Sequence, residues 1–107
     1  MSSNDDRSDV LARRAKKLAS KGEYRKAALA LRERVAITGD AVTWVQLGDM
    51  LRRARRTDEA ARALKEGLWL HKRAGAIGRA RTVAKMLSVL VPGDASVDRE
   101  LARLEAA

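Results

Sequence analysis

Slid by 33 residues, this chain overlays on itself. Leu11 falls on Trp44, Ala15 on Gly48, Leu18 on Leu51, Ala27 on Ala60 and Leu31 on Leu64. Chance seldom matches five core positions in a chain of 107 residues. A period in this range belongs to supersecondary units that stack and bury their apolar faces against one another. Within each period the apolar residues recur at i, i+3 and i+4, the spacing of a helix face. The chain is therefore expected to be a row of helical hairpins.

Punctuation along the chain sets the expected elements. Ser8 or Asp9 can cap a first helix that runs to about Ser20, and Gly22 suits a left-handed helix stop. A second helix is predicted from about Glu23 to Ile37, with Tyr24, Ala27, Ala28, Leu31 and Val35 on one face, ended by Thr38-Gly39-Asp40. The third carries Trp44 and runs to about Ala54, and the fourth spans about Asp58 to Arg73. A fifth closes at Pro92-Gly93-Asp94, and a sixth, about Ala95 to Ala106, reads as a solvating cap. Residues 1–7 read as a disordered leader, with a single helical domain over 8–107. That domain divides into units 8–40 and 41–73, then a partial third unit plus the capping helix over 74–107.

The order Trp44, two residues, Leu47-Gly48, then Ala60 and Leu64 in the next helix resembles the tetratricopeptide repeat. Small residues at Gly48 and Ala60 would let two antiparallel helices approach closely, while Trp44, Leu51 and Leu64 fill the space around them. The stretch Gly75 to Ala80, then Ala84, Leu87 and Pro92, is similar to the later half of such a repeat, so the fourth helix serves two units. Two departures stand out. Arg34 and Gly67 occupy a position where the family usually has alanine, and Arg14 replaces the leucine found at Leu47. The resemblance implies an all-α fold of antiparallel helix-turn-helix pairs, a short right-handed solenoid of about six helices.

Composition agrees and narrows the function. Aromatic residues make up only 3% of a chain that is 46% hydrophobic, so the core must be Ala, Leu and Val. Without cysteine there are no disulfides and no Cys-based zinc sites, which suits a cytoplasmic address. The polar, acidic start lacks the order of a signal peptide, and no apolar run nears the ~20 residues of a membrane span. Arginine outnumbers lysine 16 to 7, a bias typical of high-GC bacterial coding. No catalytic constellation is visible. His71 is the one histidine, set where a helix end favours it as a cap or packing residue, and Asp58-Glu59 suit a helix start. Gly75-Ala76-Ile77-Gly78 lacks the Lys-Ser/Thr of a phosphate loop, and no ligand cluster for a metal exists. Neither an enzyme nor a cofactor is expected.

The net charge of +9 favours acidic partners. Between residues 9 and 37 nine basic side chains face three acidic ones, with Arg13, Lys16 and Lys17 on adjacent turns. The family resemblance implies protein or peptide binding in a concave groove lined by the first helix of each pair. By helical phase, Asp9, Ala12, Lys16, Val42, Val45, Asp49, Arg52 and Arg53 would face it, with Arg13 and Lys17 beside it. The family's known carboxylate clamp is not matched, because Ala12 and Lys16 stand where its first lysine and asparagine belong. The leading expectation is a non-enzymatic adaptor for an acidic protein or peptide. The alternative is a basic nucleic-acid-binding helical protein, although no base-stacking platform or recognition helix is evident, so such binding would be weak and non-specific. Trp69 is either covered by the fifth helix, the favoured reading, or an exposed anchor.

Overall fold

In a computed structural model the chain forms six helices: α1 (Ser3–Ser20), α2 (Tyr24–Thr38), α3 (Ala41–Arg53), α4 (Thr57–Arg73), α5 (Ile77–Leu90) and α6 (Ala95–Ala106). The structure describes residues 3–107, with side chains from Asp5 onward. Extensive packing joins only helices consecutive in the chain. The result is a slab of 41 × 30 × 18 Å built from hairpins laid side by side. No helix among the described residues is long and apolar enough to cross a membrane.

Each helix end has a local cause. The Gly39 N–H closes α2 onto the Val35 carbonyl from a left-handed conformation. Asp40 then caps α3 by accepting from the Thr43 N–H at 2.8 Å, and Asp94 caps α6 through the Ser96 and Val97 N–H groups. The start of α1 differs from expectation. Residues 3–7, expected to belong to a leader, are helical, and residues 1–2 lie outside the described residues. Asp5 and Asp6 occupy the first turn, where the helix dipole favours carboxylates, and Arg7 pairs with Glu33 of α2 at 2.7 Å. Ser8 is therefore no cap. It is buried inside α1, and its carbonyl accepts from Arg34 Nε at 3.2 Å.

Two apolar clusters form the core. One gathers Leu11, Leu31, Val35, Leu47 and Leu51 around Ala60 and Ala63; the other gathers Leu64, Leu68, Val83, Leu87, Val97 and Leu104. Helix α4 supplies residues to both, so it has two neighbours to satisfy and carries seven buried residues to do so. The close approach of α3 and α4 rests on glycine, with a partner other than the expected Ala60. A Cβ at Gly48 would lie 2.6 Å from Leu64 Cδ2, and one at Gly67 would lie 2.6 Å from Val45 Cγ2. Each glycine thus makes room for a branched side chain of the facing helix. Trp44 packs against the first cluster and stays partly open.

Candidate functional site: the α1–α3–α5 groove

Helix α3 is amphipathic in an unusual sense, because both of its long faces are used. Leu47 and Leu51 point into the core. The opposite side carries Val42, Gln46 and Asp49, which line two hollows. One, of about 390 Å³, lies towards α1 and is walled by Ala12, Lys16 and Ala19 with Arg34, Asp49 and Met50. The other, of about 330 Å³, lies towards α5 and is walled by Val42, Val45, His71, Arg79, Thr82 and Val83. Gln46 belongs to both, so together they make one groove that runs along the first helices of the three pairs.

The eight residues expected at the site separate into three groups. Lys16, Val42, Val45 and Asp49 line the groove. Val45 is also held by packing under Gly67, which makes it part of the wall rather than a free anchor. Asp49 binds Arg52 at 2.6 Å and Arg53 at 3.3 Å, so its charge is already answered within α3. Arg52 is held by Asp49 and lines neither hollow, and Arg53 turns away from the groove, its guanidinium 5.6 Å from the Tyr24 ring centroid, where it walls a separate depression beside Gly22. Arg13 and Lys17 are exposed on α1 and line none of these hollows.

Electrostatically the groove is basic. Neither Lys16 nor Arg79 has a carboxylate within ion-pairing distance among the described residues. His71 is 94% buried, and burial first, then the Arg79 charge, pushes its imidazole below the usual range. It does not act as a helix cap. Gln46, Arg79 and Thr82 were not anticipated as groove residues. The 33-residue slide contains the signal for one of them, since Gln46 falls on Arg79.

Two features lie outside the groove. A larger hollow, about 470 Å³, opens beside Trp44 between α2 and α4, and there Glu59 pairs with both Arg32 and Arg56, at 2.8 and 2.9 Å. Trp69, expected to be covered, is 50% exposed, and α5 leaves it open. The Arg73 guanidinium sits 5.0 Å from its ring centroid instead. No group of three or more His, Asp or Glu side chains among the described residues is arranged to hold a metal.

The architecture is that of the tetratricopeptide-repeat domains. The chain superposes on the second TPR domain of the human RPAP3 protein, determined by NMR in complex with the HSP70 peptide SGPTIEEVD. The TM-score is 0.58 at 14% identity, over 95% of this chain and 98% of that one. No family model matches the sequence, and no curated protein matches it.

Proposed function

We propose that this protein is a non-enzymatic adaptor that holds an acidic protein or peptide segment in the α1–α3–α5 groove. The observation that carries this reading is the pairing of unanswered cations with aliphatic walls. Lys16 and Arg79 stand in the two halves of a groove otherwise faced by Ala12, Val42, Val45 and Val83. Such a surface offers charge for steering and apolar area for retention, and buried contacts keep their strength as salt rises. The peptide bound by the RPAP3 domain supports the reading by likeness of fold. Units 8–40, 41–73 and 74–107 would then act as three successive rungs of one binding surface, and a cysteine-free chain suits the cytoplasm.

Binding of nucleic acid is the second reading. Arg13, Arg14, Lys16 and Lys17 on α1, and Lys21 in the turn that follows, have no ion-pair partner among the described residues. Phosphate contacts of that kind are sequence-indifferent and fade steeply with salt. Capture of partners from the native host at physiological salt tests both readings. The variants are Lys16→Glu and Val42→Glu, whose side chains line the groove, and Arg13→Glu with Lys17→Glu, whose side chains do not. The adaptor reading expects a protein partner lost with the first two variants and retained with the second pair. Retention of every partner by the groove variants would overturn it.

A further inference from the structure

Trp69 does not stand alone on α4. With Arg62, Glu66 and Arg73 it forms one row, at steps of four, three and four residues, the spacing of a single helix face. Helix α6 approaches the other flank of α4, where Lys65 pairs with Asp94 at 3.7 Å and Lys72 pairs with Glu100. The row itself is left to solvent. Trp69 is 50% exposed, and Arg73 lies over its ring, 5.0 Å from the centroid, rather than against a carboxylate.

The same row walls the hollow of about 470 Å³ beside Trp44. Because α2 and α4 each pack mainly on their neighbours in the chain, an opening remains between them, floored by Val35, Trp44, Leu47 and Ala63. Arg62 and Glu66 stand at its α4 rim. A cavity of about 150 Å³ already admits a benzene ring, so an indole fits this one. The rim has two carboxylates. Glu59 is held by Arg32 and Arg56, whereas Glu66 has no ion-pair partner among the described residues, and neither has Arg73.

We propose that this face joins two copies of the chain about a two-fold axis, with Trp69 of each copy seated in the Trp44 hollow of the other. Arg73 travels with the ring it covers and meets Glu66 of the opposite copy. A second copy is the occupant because one face of one chain holds both halves of the contact. It presents an exposed aromatic knob with a free cation beside it, and an apolar hole with a free anion beside it. A two-fold axis satisfies both halves twice over, and the contact closes on itself without building a fibre. An acidic segment of some other protein would meet Glu66 as a like charge. Space is sufficient, since the broad faces of the slab measure 41 × 30 Å and a stable interface uses about 800 Å² per partner. Tryptophan is also the residue type that most often anchors such interfaces.

The contact leaves the α1–α3–α5 groove free. None of the residues around the Trp44 hollow lines either half of that groove. A dimer of this kind therefore carries two open grooves, and a ligand with two binding segments would gain from both at once.

Sedimentation velocity of the whole chain, from micromolar to millimolar concentration, reads the contact directly. At about 150 mM salt, which screens the repulsion between two copies of charge +9, the mass should rise from one chain towards two. Trp69→Ala should weaken self-association about tenfold or more, with an unchanged circular dichroism spectrum because the side chain is half exposed. Glu66→Arg sets two cations against each other at both contacts, and Arg73→Glu sets two carboxylates. Each variant alone should stay monomeric at concentrations where the parent chain pairs. Mixed in equal amounts, the two variants should dimerise again, since each offers the charge that the other lacks. Recovery on mixing is a result that mere stickiness of an exposed tryptophan does not give. A chain that stays monomeric to millimolar concentration, a dimer that survives Trp69→Ala, or a mixture no more dimeric than either variant alone would overturn the proposal.

Discussion

The hairpins α1–α2 and α3–α4 follow one plan 33 residues apart, and their differences show what a neighbour does to a repeat. At matched positions, Arg14 is exposed whereas Leu47 is 3% exposed, and Val10 is 43% exposed whereas Thr43 is fully buried. The cause lies in position along the stack. Leu47 packs with Val35 of the preceding hairpin, and Thr43 receives the Arg34 guanidinium of that hairpin at 2.8 Å. Helix α1 has no described helix on that side, so its matching positions meet solvent. The first unit's departures fall on a face that no described helix covers.

Exchanging the residues at this first pair should break the equivalence most severely. Leu47→Arg places a charge in the first cluster and should cost on the order of 4 kcal/mol, enough to unfold a domain of this size. The converse change, Arg14→Leu, should shift stability by no more than about 0.5 kcal/mol. Thermal melts followed by circular dichroism separate the two. Similar losses for both variants would mean that α1 is packed on its outer side in solution.

The same contrast marks what was legible in the sequence. Apart from the start of α1, the helices and their predicted ends could be read to within a residue or two, because Gly22, Gly39, Asp40, Pro92 and Asp94 act locally on the backbone. The buried stripe could be read from spacing. Helical phase gives a direction but not a neighbour, so it failed where a long or shared side chain has a choice. Arg53 has groove phase and stacks on Tyr24, and Trp69 remains exposed because α5 leaves its face of α4 open. The acidic first turn of α1 was read as leader because a polar stretch looks the same with or without a helix beneath it. His71 was read as a cap or packing residue at a helix end, and it is buried. That it lines a groove with Arg79 needed three helices in place.

The position shared by Arg34 and Gly67 gives the second test, of intermediate size. Alanine is the family's usual residue at both, yet the two sites have diverged in opposite directions. Arg34 bridges α1 and α3, donating to the Ser8 carbonyl and to the Thr43 hydroxyl, which Thr38 also reaches at 3.3 Å. Gly67 admits Val45, and its Cβ would also sit 3.3 Å from the Ala41 carbonyl. Alanine should therefore destabilise both sites for unrelated reasons. Arg34→Ala leaves buried acceptors short of a donor and should cost about 1–3 kcal/mol. Gly67→Ala overpacks α3 against α4 and should cost about 1–3 kcal/mol, less the helix propensity gained. Denaturant titrations would show it, and the double variant should be additive unless Val45 and Thr43 couple the sites through α3. A gain in stability at either position would mean that the family's alanine also suits this chain.

The smallest difference lies in the turns. Glu23 N–H bonds the Leu18 carbonyl and Arg56 N–H bonds the Leu51 carbonyl, each at 2.9 Å, so α1 and α3 end in the same hydrogen-bonded turn. The left-handed residue is Gly22 in the first, at φ 75°, and Arg55 in the second, at φ 64°. Arg55 is the one non-glycine residue with positive φ among those described, and a side chain there crowds its own carbonyl. Open space surrounds Gly22, so tertiary packing does not explain the choice of residue. Gly22→Ala should therefore cost about 1 kcal/mol from backbone strain alone. Arg55→Gly should relieve that strain and gain about 0.5–1 kcal/mol, less the extra entropy of glycine in the unfolded chain. Opposite shifts in melting temperature at these two matched positions are the expected result. If Arg55→Gly lowers the melting temperature, the arginine contributes through its side chain what its backbone conformation costs.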